Sequence, residues 1–283
     1  MLGLYDSGLG GLTVLAALRA AGITQDVVYF ADQAHVPYGE RTEPELHGYL
    51  RDNLALLGEQ HVDAVVMACN TSCAVAQRLG WPAAPFPVLD LIETAGRSFA
   101  ATPHRRIAVV ATPATVRAGA YGRVIRAAAP HAEVFEIGAP ALVPLVERGD
   151  ADTERGRDEV AAVVAQLPPD VDALIYGCTH YPLLDRWFVA ALDPRVARID
   201  PARAQAARTA ALIAERNLAP GSATTTYYTN GDPVAFERGV RRWTGDRTGR
   251  VASLHDVEDA EEEQGRAERE QRAGDDLEQR VRA

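Results

Sequence analysis

Lysine is absent from this chain of 283 residues, so all 29 of its Lys and Arg positions are arginines. This absence excludes reaction classes that depend on a lysine amine. A pyridoxal-phosphate enzyme holds its cofactor as a Schiff base on lysine, and a P-loop places lysine on the bound phosphates. Aldolase-type lysine chemistry is excluded for the same reason.

Long apolar runs are also missing. No run approaches the roughly 20 residues that a membrane-spanning helix needs, and the mean hydropathy is −0.14. The first residues lack the basic and apolar regions of a signal peptide. We therefore expect a cytoplasmic protein with no membrane partner. The length suffices for one large domain or two medium ones.

Positive charge is too scarce to favour nucleic acid as a partner, because binding to phosphates needs a cationic surface. The net charge is −10, and residues 256–283, with 11 acidic residues and 5 arginines, contribute −6 of it. We expect residues 253–283 to form a charged, partly disordered C-terminal tail with no chemical role.

Cysteine is rare, with only three residues, Cys69, Cys73 and Cys178. They are too few for a disulfide framework and lack the Cys-x-x-Cys spacing of metal sites. In a reducing cytosol they should be thiols. No metal site is expected, because Cys69 and Cys178 follow different strands without a second pair of ligands nearby.

Short apolar segments alternate with amphipathic ones, which predicts an α/β fold with mainly parallel sheets. The strand candidates are residues 2–5, 27–30, 64–68, 107–111, 173–176 and 198–200. The helix candidates are residues 12–19, 43–57, 116–127 and 202–216. Residues 80–87 include three prolines and are predicted to mark a crossing between domains.

An internal repeat suggests two similar halves. A Val-Asp-Ala triplet at residues 62–64 precedes Cys69, and the same triplet at residues 171–173 precedes Cys178. The triplet and the cysteine recur at the same offset. Ligands bind at the carboxyl ends of strands in such folds, so each half should deliver one cysteine to a shared cleft. We predict a first α/β domain from residues 1–92 plus about 205–252, and a second from residues 93–204.

Cys69, Asn70 and Thr71 directly follow a strand candidate. A cysteine at a helix start meets backbone N–H groups and the positive end of the helix dipole, which favour the thiolate. The neighbouring Asn70 and Thr71 offer short polar groups to a carboxylate. The alternative is a buried structural cysteine, a common fate of free cysteine.

Cys178, Thr179 and His180 repeat this arrangement after a second strand candidate. His180 can take or return a proton beside the thiol, and the alternative is an ordinary core imidazole. Two opposed thiols suggest removal of a proton from one face of a carbon and its return on the other, which is racemisation or epimerisation. Acyl transfer by a Cys–His pair is a second reading, whereas thiol–disulfide exchange prefers Cys-x-x-Cys.

Residues 6–11 form a glycine-rich turn between the first strand and the first helix. Thr13 stands where a dinucleotide fingerprint needs its third glycine, so that reading does not fit. Asp6 suits acid–base chemistry, and Ser7 can donate to a carboxylate.

Further polar residues follow other strands, and ordinary turn chemistry is the alternative for each. They are Asp32, Tyr38, Gly39, Thr112 and Thr115. Glu147 closes an apolar stretch, and the alternative for it is a carboxylate on the surface without a role. Cys73 lies one helical turn after Cys69 and should pack in the core.

The ordered set of motifs resembles the cofactor-independent aspartate/glutamate racemase superfamily, and within it the bacterial glutamate racemases, from residue 4 to about residue 236. The motifs are residues 6–8, 10–14, 36–39, 68–71, 112–116, 144–147, 177–184 and 228–233. The resemblance implies two pseudo-symmetric, three-layer α/β domains with the active site in the cleft between them. It also implies an isomerase that interconverts L- and D-glutamate without a cofactor and supplies D-glutamate for peptidoglycan, with glutamate as the small-molecule partner and a homodimer as the assembly.

The resemblance further assigns roles to residues. Cys69 and Cys178 would lie on opposite faces of the substrate Cα as base and acid. Asp6 would assist Cys69, His180 would assist Cys178, and Glu147 would support them. Asp32 matches another carboxylate near the site. The expected substrate-binding residues are Ser7, Tyr38, Gly39, Asn70, Thr71, Thr112, Thr115 and Thr179.

Two positions depart from the family pattern, Cys73 where a small residue is usual and Gln33 where threonine is common. The main rival activity is racemisation of aspartate, and His180 argues against it because relatives acting on aspartate tend to carry an acidic residue there. A decarboxylase with one cysteine is disfavoured by the two thiols. A non-catalytic amino-acid-binding protein would not need the paired cysteines.

Overall fold

Residues 1–253 are described by the structure, a computed structural model, and form two parallel sheets. The first sheet contains β1 (Leu2–Asp6), β2 (Val27–Ala31), β3 (Ala64–Met67), β4 (Val88–Leu89), β9 (Thr225–Thr229) and β10 (Arg250–Ser253). The second contains β5 (Arg106–Ala111), β6 (Glu133–Gly138), β7 (Ala173–Gly177) and β8 (Ala197–Ile199). The helices are α1 (Leu12–Ala20), α2 (Glu43–Glu59), α3 (Asn70–Leu79), α4 (Leu91–Ser98), α5 (Pro113–Ala118), α6 (Ala120–Ala128), α7 (Leu142–Glu147), α8 (Glu154–Val164), α9 (Asp185–Ala191), α10 (Pro201–Glu215) and α11 (Pro233–Thr244).

The two sheets repeat one topology. The first has the strand order β10-β9-β2-β1-β3-β4 and the second the order β6-β5-β7-β8. In each sheet the first strand of the repeat lies between the second and the third, and the third pairs with the fourth. The predicted α/β fold with two similar halves is confirmed. The repeated strand order also makes β3 and β7, the strands before the two cysteines, equivalent.

Three clusters of buried apolar side chains stabilise this arrangement. One contains Val65 of β3, Val109 of β5 and Ile175 of β7, so the two sheets share a core. The other two clusters pack against the opposite faces of the sheets. Val110 belongs to a different cluster from its neighbour Val109, because successive side chains of a strand point to opposite faces.

The predicted helix over residues 116–127 is wrong, because two helices occupy this region. Thr112 accepts a hydrogen bond from the Thr115 amide and caps α5, and Pro113 occupies its first turn. Gly119 then adopts a left-handed conformation with φ +60°, which ends α5 before α6 begins. The early start places Thr112 and Thr115 together at the end of β5.

The prediction that residues 80–87 cross between domains is also wrong. They connect α3 to β4, and β4 pairs with β3 in the same sheet. The chain passes to the second sheet after β4, through α4. A proline-rich composition indicates a loop but does not say which elements the loop joins.

Four strands, β4, β6, β9 and β10, were absent from the sequence prediction. β4 has only two residues, and no side chain of β6 is fully buried. In β9 the threonines and tyrosines alternate between buried and half-buried positions. None of these strands has the short apolar run that marks a strand buried on both faces.

The domain limits given above stay a prediction. The tail predicted over residues 253–283 lies, from residue 254 onward, outside the described residues. Within residues 1–253, no helix has the length and apolar character needed to cross a membrane.

Candidate active site

Cys69 follows β3 after one intervening residue, and Cys178 directly follows the equivalent strand β7. They are 3% and 6% exposed, and both are free thiols. Cys69 ends the extended chain because Asn70 begins α3, and its backbone carbonyl accepts the first bond of that helix from Cys73. Cys73 itself is fully buried, as expected of a core residue.

Asp6, at the end of β1, is fully buried beside the Cys69 half of the site. Its Oδ2 accepts hydrogen bonds from the Gly8 and Gly11 amides at 3.1 and 2.8 Å. Its Oδ1 accepts one from the Thr179 hydroxyl at 3.2 Å, which links the two halves. Burial raises the pKa of Asp6 even though these amides and the charge of His180 act in the opposite direction.

The pKa of Cys69 is raised to about 12, mainly by burial and next by the negative charge of Asp6. The charge of Cys178 raises it further, so the two thiols lie close enough to interact electrostatically. Cys69 is therefore a neutral thiol near pH 7, and its thiolate needs a proton acceptor or a positive ligand group.

The Cys178 half contains a chain of proton-carrying groups. His180 places Nδ1 3.7 Å from the Cys178 sulfur and Nε2 2.6 Å from Oε1 of Glu147. Burial disfavours the imidazolium, but the hydrogen bonds and charges of Cys178 and Glu147 outweigh it and raise the pKa of His180. Burial is the largest single influence on Glu147 and acts against its carboxylate, but the hydrogen bonds from His180, Leu9 and Gln33 together with the charge of His180 outweigh it and lower the pKa of Glu147. Both shifts favour the form in which His180 is an imidazolium and Glu147 a carboxylate.

Glu147 is the last residue of α7, in the half of the molecule that contains the second sheet, but residues of the first half bind its carboxylate. Its Oε1 accepts from the Leu9 amide at 2.7 Å, and its Oε2 accepts from Gln33 at 3.0 Å. A Cβ on Gly8 would lie 2.2 Å from Oε1 of Glu147, and one on Gly10 would lie 2.4 Å from Nδ1 of His180. The turn over residues 8–11 needs these glycines so that the two halves can meet.

Asp32, 1% exposed, is the centre of a separate polar cluster. It accepts hydrogen bonds from His35 at 2.6 Å, Asn230 at 2.5 Å and Asn53 at 3.2 Å, and from the Tyr38 hydroxyl. Four donors thus fix the Asp32 carboxylate, and its hydrogen bond from Tyr38 fixes the Tyr38 hydroxyl in turn.

Three threonines from both halves form a hydroxyl cluster. The Thr71 oxygen lies 2.9 Å from that of Thr112 and 3.3 Å from that of Thr115, and the last two are 3.0 Å apart. A Cβ on Gly39 would lie 2.9 Å from the Cβ of Thr112, so this backbone segment closes over the cluster. The arrangement offers several hydroxyl donors to an anionic group.

Two polar groups remain available to a ligand. Tyr121 donates to Oδ1 of Asn70 at 2.6 Å, while Nδ2 of Asn70 is buried and has no partner within residues 1–253. The Ser7 hydroxyl, on a residue 6% exposed, likewise has no hydrogen-bond partner in the described part of the chain. Buried polar atoms are almost always paired, so a ligand would complete Nδ2 of Asn70.

The structure joins the sequence-predicted residues into four groups of contacts. Asp6 and Thr179 contact each other, His180 contacts both Cys178 and Glu147, and the threonines form their own cluster. Asp32 and Tyr38 form a group with Asn53, Asn230 and Tyr5 that sequence reasoning did not assign. Over residues 1–253, no group of three or more His, Cys, Asp or Glu side chains is placed to hold a metal ion.

Gln33 and Tyr121 also contact site residues, and sequence reasoning assigned a role to neither. Gln33 appeared there only as a departure from the family pattern. Tyr121 carried no signal, because a single tyrosine in an amphipathic helix reads as core. Their roles depend on long-range contacts, which local patterns do not encode.

Comparisons with known proteins show which family the chain resembles. The profile of the Asp/Glu/hydantoin racemase family matches residues 13–209. A glutamate racemase of Gloeobacter violaceus is 42% identical over 244 residues, which cover 86% of this chain and 92% of the relative. One from Levilactobacillus brevis is 36% identical over 248 residues, covering 86% and 90% of the two chains.

Solved structures are similar as well. The glutamate racemase of Thermus thermophilus, in complex with β-chloro-D-alanine, has a TM-score of 0.76 and 33% identity over 90% of this chain and 97% of its own. That of Francisella tularensis, in complex with D-glutamate, has a TM-score of 0.78 and 27% identity, covering 89% and 96% of the two chains. An aspartate racemase of Picrophilus torridus, 18% identical with a TM-score of 0.57 over 77% of this chain and 94% of its own, shares the fold. The chain belongs to the Asp/Glu/hydantoin racemase family.

Proposed function

We propose that this protein is a glutamate racemase, an isomerase that interconverts L- and D-glutamate by moving a proton at Cα between two thiols. The observation that carries the proposal is the placement of Cys69 and Cys178 after equivalent strands of a repeated topology. His180 lies 3.7 Å from the sulfur of Cys178, and Asp6 acts on Cys69 through its charge, so we assign these two residues as the acid–base partners of the thiols. The two halves are linked by the Asp6–Thr179 contact.

The reaction needs no net consumption of protons. One cysteine, as thiolate, takes the Cα proton from one face, and the other, as thiol, gives a proton to the opposite face. The configuration inverts, and the two thiols exchange protonation states. Asp6 and His180 restore the starting state by passing a proton to or from their cysteines. Turnover in the reverse direction begins from the exchanged state.

Cys69 shows why substrate charge matters. In the protein alone its pKa of about 12 keeps it a thiol. An ammonium group of the substrate in this buried site would favour the thiolate, because an opposite charge nearby stabilises the ionised form. We propose that the base is therefore formed when an amino acid binds.

The Cα proton is a very weak acid, so the negative charge that develops beside the α-carboxylate must be stabilised. Donors fixed in a water-poor site do this well. Ser7 and Nδ2 of Asn70 are unpaired in the described chain, and Thr71, Thr112 and Thr115 supply hydroxyls. We assign these groups, with Tyr38, Gly39 and Thr179, to binding of the substrate's carboxylates and amino group, and Asp32 to support of Tyr38.

We propose glutamate rather than aspartate as the substrate, because the relatives above 35% identity are named glutamate racemases. The aspartate racemase shares only the fold. His180 argues the same way. We further propose, on family resemblance, that the reaction is cofactor-independent, that it occurs in the cytoplasm as part of peptidoglycan synthesis, and that the protein is a homodimer of two-domain subunits.

The test is incubation of purified protein with L-glutamate in D2O without added cofactor, following Cα deuteration and D-glutamate together. We expect both to appear, and both to be lost in Cys69→Ala and in Cys178→Ala. Cys73→Ala is the matched control, because Cys73 is a core thiol outside the site and its loss should leave turnover intact.

Two outcomes would overturn the proposal. Turnover of L-aspartate with none of L-glutamate would move the specificity to aspartate. No exchange with either substrate, from protein shown to be folded, would reject a racemase and favour a binding protein.

A further inference from the structure

Gln33 is the first-sheet residue that contacts Oε2 of Glu147. It follows β2 and Asp32, and its side chain is half-buried. Its Nε2 donates to Oε2 of Glu147 at 3.0 Å, and its Oε1 accepts from the hydroxyl of Thr229 at 3.2 Å. Both ends of the amide are therefore engaged, one toward the active site and one toward β9.

We propose that Gln33 is a positioning residue that fixes the carboxylate of Glu147 against His180 and thereby controls proton transfer at Cys178. This inference rests on the proposed function for its catalytic consequence. The link between Gln33, Glu147 and His180 rests on geometry alone. Gln33 itself touches neither cysteine through a hydrogen bond.

The two oxygens of Glu147 have different tasks. Oε1 accepts from both His180 and the Leu9 amide, while among the described residues Oε2 accepts only from Gln33. Glu147 is only 12% exposed, so water can replace a lost donor poorly, and an unpaired buried carboxylate oxygen is costly. Loss of the Gln33 amide would therefore let the carboxylate turn away from His180, and the greater distance would weaken its stabilisation of the imidazolium.

Thr229 supports the orientation in which the Gln33 amide turns its NH2 group toward Glu147. The Thr229 oxygen accepts from the Gly231 amide at 3.0 Å, and its single proton goes to Oε1 of Gln33. An amide turned the other way would place its carbonyl oxygen against the Glu147 carboxylate, which can only accept, and its NH2 group beside Thr229. The carboxylate and the fully buried Thr229 therefore both favour the donating orientation.

The turn after β9 holds the whole segment around Gln33. Asn230 donates to Asp32 at 2.5 Å and accepts from the Ala34 amide at 2.9 Å, so it is hydrogen-bonded to both neighbours of Gln33. A Cβ on Gly231 would lie 2.7 Å from the Cβ of Gln33, which shows how closely the turn packs. One turn thus places Asp32 in its cluster with Tyr38 and Gln33 on Glu147.

Several charged or titratable groups face the Glu147–His180 pair from other elements. They are Asp6 of β1, Tyr29 of β2, Cys178 after β7, Arg148 after α7, and Arg238 and Arg242 of α11. None of them donates a hydrogen bond to Oε2 of Glu147 within the described chain. Gln33 is neutral, so its effect on the pair is a local hydrogen bond and should survive at high ionic strength, unlike that of the exposed arginines.

The first test replaces the amide by a group of similar length that cannot donate, Gln33→Met. We expect kcat to fall roughly tenfold or more, as for loss of one hydrogen bond to a charged group, with KM within about twofold. The pKa of Glu147 should rise and that of His180 should fall. The limb of the kcat profile that needs protonated His180 should then move to lower pH by about half a unit to one unit.

The second test needs no turnover. Titration of histidine side chains by NMR, with the His180 resonance identified from its loss in His180→Gln, should show the same downward shift of His180 in Gln33→Met. Thr229→Val should give a smaller shift in the same direction, because the amide loses its orientation, and Thr229→Ser should restore the wild-type value. Thr229→Val also serves if Gln33→Met fails to fold.

The outcomes separate this inference from the proposed function. An unchanged His180 titration in both Gln33→Met and Thr229→Val would overturn the role of Gln33, even if activity falls. If the two variants shift the His180 titration but the wild-type protein racemises no amino acid, the proposed function is overturned and the link from Gln33 to His180 is supported.

Discussion

His180 and Glu147 form a buried hydrogen bond of 2.6 Å between Nε2 and Oε1, and Nδ1 of the same ring lies 3.7 Å from the sulfur of Cys178. The carboxylate thus acts on the thiol through the imidazole. Among the described residues Cys69 has no imidazole partner of this kind, and the charge of Asp6 raises the pKa of its thiol. The two thiols therefore occupy different electrostatic surroundings although their strands are equivalent.

Glu147→Gln should lower kcat by roughly tenfold or more, because a hydrogen bond to a charged group is worth about 1.5–3 kcal/mol. The carboxylate raises the pKa of His180, so its removal lowers that pKa. The activity that requires the imidazolium should then be lost at lower pH than in the wild type, which a kcat–pH profile measures.

Glu237→Gln is the matched control for that change. Glu237 is an exposed residue of α11 that pairs with Arg241 at 2.6 Å on the surface, and an exposed pair contributes little. We expect an unchanged profile for this variant. Superimposable profiles for Glu147→Gln and wild type would contradict the role given to Glu147.

Gly8→Ala and Gly10→Ala test the closeness of the two halves without altering any polar group. The added methyl would lie 2.2 Å from Glu147 or 2.4 Å from His180, so these side chains must move. A displacement of about 1 Å near the reacting groups can reduce the rate about 100-fold. Steady-state kinetics should show a fall in kcat for both variants.

Gly48→Ala is the control for the glycine changes, because a Cβ there meets nothing within 4 Å. It lies inside α2, where alanine is favoured over glycine by about 1 kcal/mol. This variant should keep its activity and unfold at a higher temperature. Full activity in both Gly8→Ala and Gly10→Ala would show that the site tolerates a wider separation than the structure has.

Much of the site was predictable because strand ends carry it. Cys69 and Cys178 stand directly after apolar runs, and parallel topology places such residues at one edge of a sheet. The repeat further predicted that they belong to equivalent positions, and the strand orders agree. Local sequence was sufficient for these residues because their neighbours along the chain define their place.

The supporting residues were not predictable in this way. Gln33 contacts Glu147 and Thr229, which are 114 and 196 residues away in sequence. The helix over residues 116–127 was predicted as one element because its amphipathic pattern continues, yet Gly119 in a left-handed conformation divides it. Long-range hydrogen bonds and single backbone conformations leave no periodic signal.

Tyr121→Phe should weaken substrate binding. The Tyr121 hydroxyl fixes Oδ1 of Asn70 and leaves Nδ2 as the free donor. Without it, the amide can turn and present either end to the substrate. We expect KM to rise about three- to tenfold, the equivalent of one ordinary hydrogen bond, with a smaller change in kcat.

Tyr227→Phe is the control for Tyr121→Phe. Tyr227 is another buried tyrosine, and its hydroxyl donates to Asp246 at 3.1 Å, away from the cysteines. Its loss should lower stability but leave KM unchanged. An equal rise of KM in both variants would mean that Tyr121 acts through general stability and not through Asn70.

Asp6→Asn should separate stability from activity. The asparagine can keep the two bonds from Gly8 and Gly11 through its oxygen and can still contact Thr179, while the buried charge disappears. Activity should fall roughly 100-fold, as for loss of one acid–base group, because Cys69 loses its proton partner.

The stability of Asp6→Asn should change in the opposite direction to its activity. Burial raises the pKa of Asp6 in the folded protein, so the folded state binds a proton that the unfolded state releases at lower pH. Wild-type stability is therefore lost as pH rises from the unfolded pKa, near 4, to the folded pKa, and the loss is constant above it. The melting temperature of Asp6→Asn relative to wild type, measured from pH 4 to pH 8, should rise over that interval and then level off. A relative melting temperature that falls as pH rises would show that the Asp6 carboxylate stabilises the fold as a charge, and that its hydrogen bonds outweigh its burial.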